Sequence, residues 1–164
     1  MGDNEISNVI GAILANAHET CTGEGCWGVF GYEKRPKRGF LAGLFKNEEQ
    51  TKTETFIFRE VFVCIIACYL KKAADPKPYI DALADAVSKD SGALSYFGMK
   101  KSAGQEAKER FREVLEEYLQ SDNVAATMIM RYEAEFKHLV TESIRDGSVR
   151  TAIMMEFLPE TGIA

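Results

Sequence analysis

The stretch from Phe56 to Leu70, FIFREVFVCIIACYL, constrains this chain more than any other. Phe56, Ile57, Phe58, Val61, Phe62, Val63, Ile65, Ile66, Tyr69 and Leu70 fall on every side of a helix, so neighbours must cover it all round. Its longest uninterrupted apolar run, Val61 to Leu70, is about half of the roughly 20 residues a membrane-spanning helix needs. The segment therefore predicts the central helix of a water-soluble bundle. Thr51 and Glu54 form a capping-box pattern ahead of it, and Lys71, Lys72 and then Pro76 suit its far end.

The flanking sequence supplies the covering helices. Ile6, Val9, Ile10, Ile13, Leu14 and Ala17 recur at helical spacing behind an Asp3 or Asn4 cap, in a helix expected to stop near His18 to Thr20. Asp75 and Pro76 open a helix carrying Ile80, Leu83, Ala84 and Val87, which ends before Gly92. The polar stretch SKDSGALSYFGMKKSAG reads as a connector. Ser102 and Gln105 then give a second capping box before Ala107, Phe111, Val114, Leu115, Tyr118 and Leu119. Asp122 or Asn123 caps a helix with Ala125, Met128, Tyr132, Phe136, Leu139 and Val140 inward, ending at Gly147, and a shorter helix follows over 149–158.

No internal repeat and no series of alternating strands is present. The 164 residues suffice for one core, so the expectation is a single all-α domain over 1–164. About six helices surround the segment 54–72, and an irregular glycine-rich lobe occupies 20–50. A connection this long in a compact domain is a common place for function.

The net charge of −5 argues against a general nucleic-acid binder, which gains affinity from a basic face. The N-terminus has spaced apolar residues and lacks the basic start of a secretory signal. A cytoplasmic protein is expected, with Cys21, Cys26, Cys64 and Cys68 as free thiols or ligands.

CTGEGCWG, residues 21–28, carries three candidate motifs. Gly23, Gly25 and Gly28 have the spacing of a phosphate loop, but a helix precedes them where a strand is required, and Glu24 would repel phosphate. They are better read as a turn from helix to lobe, with Trp27 as its anchor. His18, Cys21 and Cys26 could fold over Cys64 and Cys68, one turn apart on the central helix, giving a zinc or redox site. The simpler reading of VCIIACYL packs its thiols as small hydrophobes.

Glu135-x-x-His138 has di-iron spacing, yet the second copy such sites need is missing. Glu116, Glu117, Glu133 and Glu135 read as solvated helix faces, and no nucleophile is joined to a base and an orienting group. LPETG at 158–162 lacks the flanks of a sorting signal. Arg59 and Glu60, the lone charges between Phe56 and Leu70, must pair, reach the surface or face a cavity.

There remains YEKRPKRGFLAGLFK. Lys34, Arg35, Lys37 and Arg38 stand directly before Phe40, Leu41, Leu44 and Phe45, which share one side of a brief helix. A basic cluster beside an apolar wedge suits an anionic membrane or an acidic partner. The sequence thus predicts a non-enzymatic adaptor or scaffold without a cofactor, cytoplasmic or peripheral to a membrane, presenting these eight residues to a protein partner or membrane surface. A thiol and histidine metal or redox protein, with zinc bound, is the alternative.

Overall fold

The computed structural model describes residues 3–22 and 48–136. Expectations for the basic lobe, for FLAGLF, for His138 and LPETG, and for the helix over 149–158 lie outside the described residues. The fold is all-α, with no strand among the described residues. Among the described residues six α-helices occur in chain order: α1 (Asp3–Thr22), α2 (Glu48–Lys72), α3 (Lys77–Lys89), α4 (Ser91–Tyr96), α5 (Gly104–Gln120) and α6 (Val124–Glu135). No described helix is long and apolar enough to cross a membrane.

Every residue from Val61 to Leu70 on α2 is buried, which makes it the axis of the core as its all-round apolar pattern requires. α1 lies antiparallel to it: Cys21 is beside Phe58, His18 beside Phe62, and the Asn16 amide donates to Tyr69 Oη. α6 also runs antiparallel along the N-terminal half of α2. Lys52 pairs with Glu135 at 3.0 Å, and the Phe56 ring meets Tyr132 and Phe136 edge-on. α3 and α5 form a second antiparallel pair joined by Asp81–Arg112 (2.7 Å) and Asp85–Lys108 (3.8 Å). The approach is closest at Gly104, where a Cβ would come within 2.9 Å of the Ser88 carbonyl oxygen.

Helix boundaries differ from the sequence expectations for local reasons. α1 continues to Thr22 because Cys21 extends the buried row of Ile10, Ile13 and Ala17 by another turn. α2 begins at Glu48, so Thr51 is an interior residue and not a cap; its carbonyl accepts from Thr55 Oγ1 at 2.9 Å.

The stretch read as a polar connector contains α4. Asp90 caps it by accepting from Gly92 N (2.9 Å) and Ala93 N (3.3 Å), while Tyr96 and Phe97 fasten it to the core. Gly98, at φ 67°, closes its far end: Gly98 N donates to Ser95 O and Met99 N to Leu94 O. Ser102 caps nothing, since a 3₁₀ turn spans Lys101–Ala103 and α5 starts at Gly104 without a side-chain cap. Asn123 caps α6 as expected, accepting from Ala126 N at 3.0 Å. That helix ends at Glu135 with Phe136 as its C-cap, and the expected continuation through Leu139 and Val140 to Gly147 lies outside the described residues.

Candidate functional site

α1 and α2 define where the basic segment leaves the bundle. The C-terminal turn of α1 lies level with Phe58, whereas α2 starts at Glu48, ten residues earlier. At 1.5 Å per residue the first turns of α2 overhang the end of α1 by about 15 Å. Lys34, Arg35, Lys37, Arg38, Phe40, Leu41, Leu44, Phe45 and Cys26 belong to the intervening residues 23–47, outside the described residues.

The departing end of α1 is tied down by side chains that the sequence offered as metal ligands. His18 Nε2 lies 2.9 Å from Asp90 Oδ2, and Nδ1 lies 3.0 Å from Tyr96 Oη. An ionised carboxylate only accepts, so Nε2–H donates to Asp90, while the direction of the bond between Nδ1 and the Tyr96 hydroxyl follows the protonation of the ring. Burial works against the Asp90 charge, but bonds from His18 and from the Ala93 and Gly92 amides outweigh it and hold its pKa below the usual value. Phe62 and Tyr96 pack around the imidazole, with ring centroids 5.0 and 5.4 Å away. Gly92 passes so close that a Cβ there would sit 3.2 Å from His18 Cε1. The Cys21 thiol donates to Phe58 O at 3.2 Å.

Cys64 and Cys68 face another way. Successive helical residues turn by about 100°, which sets Cys64 about 160° around α2 from the His18 contact Phe62. Their surroundings agree with that separation: Cys64 is near Glu60 and Tyr118, and Cys68 near Lys71 and Lys72. Burial pushes the Cys64 thiol well up. Its hydrogen bond to Cys68 raises it further and lowers Cys68, against the burial of Cys68 and with help from the two lysines. His18 and Cys21 therefore lie on one side of α2, and Cys64 and Cys68 on another. No group of three or more His, Cys, Asp or Glu among the described residues is arranged to hold a metal ion.

Arg59 and Glu60 are paired, at 3.0 Å, but the pair is part of a larger cluster. Glu60 is completely buried. Its Oε1 accepts from Tyr118 Oη (2.8 Å) and Arg131 Nε, and its Oε2 accepts from Arg59 Nε (3.0 Å) and Arg131 Nη2 (3.3 Å). Arg131 also reaches Glu117. Burial disfavours the Arg131 charge, but its bonds and proximity to Glu60 prevail and hold it firmly protonated. Burial and the neighbouring carboxylate raise the Tyr118 hydroxyl.

Sequence reasoning missed Arg131, Tyr118, Asp90 and Tyr96 as polar partners. A signal existed for Arg131, which falls in the inward row of α6 beside Met128 and Tyr132, where a charge needs a buried counterpart. His18 lies likewise in the inward row of α1, four residues after Leu14. Comparison with known proteins gives no matching family model, curated protein or solved structure.

Proposed function

We propose that this chain is a non-enzymatic helical adaptor whose 23–47 segment binds an anionic membrane surface. The observation that carries this reading is the mismatch between the length of that segment and the gap it bridges. The overhang of α2 past α1 is about 15 Å, and roughly six extended residues would close it. Twenty-five residues occupy the interval between Thr22 and Glu48, spanning about 80 Å if extended.

The composition of the surplus supports the same reading. Lys34, Arg35, Lys37 and Arg38 concentrate positive charge in a chain of net charge −5, and Phe40, Leu41, Leu44 and Phe45 follow at once. Basic residues near an anionic leaflet contribute about 1 kcal/mol each, while inserted apolar side chains add a salt-independent part. The exposed acidic residues of α5, Glu106, Glu109, Glu113, Glu116 and Glu117, favour an orientation in which the basic segment alone approaches the lipid.

Sedimentation with vesicles of phosphatidylcholine, with and without phosphatidylserine, tests the proposal. Binding is expected only with the anionic lipid, weakening as salt rises. Replacing all four basic residues by Gln should abolish most of it, whereas Phe40→Ser with Phe45→Ser should remove the part that survives high salt. No binding by the parent protein at low salt overturns the membrane reading and returns these residues to an acidic protein partner.

A further inference from the structure

We draw no further inference here: the strongest candidate, the Tyr96–His18–Asp90 side-chain cluster where the end of α1 meets α4, belongs to the site already described, where its bonds of 3.0 and 2.9 Å hold α1 in place, and nothing in the structure shows what would react with it.

Discussion

Glu60 is the residue with most at stake in the described core. A carboxylate removed from water is costly unless its lone pairs are met by charge and hydrogen bonds, and here two arginines and a tyrosine meet them. Glu60→Ala removes the buried counter-charge of Arg59 and leaves Arg131 only Glu117, and the expected loss is about 3–5 kcal/mol in urea unfolding. A loss below 1 kcal/mol would show that water already carries the arginine charges. Replacing Glu60→Leu together with Arg131→Leu should cost less than the two single losses added together, because the bond between these two is then counted once, although Arg59 still loses its partner. The sequence marked the need for such a cluster through two charges isolated in an apolar helix. Arg131 is passed over despite its place in the inward row of α6, because an arginine on an amphipathic helix ordinarily belongs to the wet face.

At the scale of elements, one side chain both caps α4 and ties it to α1. Asp90 caps the helix through Oδ1 and holds His18 through Oδ2, linking α4 to the end of α1. Its folded pKa lies below the ordinary value of 3.8. Its contribution is therefore complete above the unfolded carboxylate's range and is lost as pH falls through that range to the folded value. The urea midpoint of Asp90→Asn should lie below that of the parent protein at pH 7, and the two should converge as pH falls below 4. A gap that stayed constant through the acid range would assign the loss to packing. This helix was illegible beforehand because Ser91, Gly92 and Ser95 favour turns as readily as one short helix. By contrast, α3 and α5 show regular apolar spacing over several turns, and their inward residues Leu83, Ala84, Val87, Phe111, Val114 and Tyr118 are all buried.

For the whole molecule, the unbroken apolar pattern of α2 announced both its central place and the need for helices around it. Only the folded chain reveals which polar groups converge, because His18 and Asp90 are far apart in sequence and meet across the packing of α1 against α4. The seating of α1 also bears on how the molecule opens. Among the described residues its buried apolar contribution is limited to Ile10, Ile13, Ala17 and Cys21, against an unbroken buried run on α2. Local opening should therefore begin with α1, and its amides from Ile10 to Cys21 should exchange with deuterium earlier than those from Val61 to Leu70. Equal protection of the two stretches would mean that they open as one cooperative unit. When α1 swings away, Phe62 and Tyr96 lose the His18 ring that packs on them, giving the protein a transient apolar face where α2 meets α4.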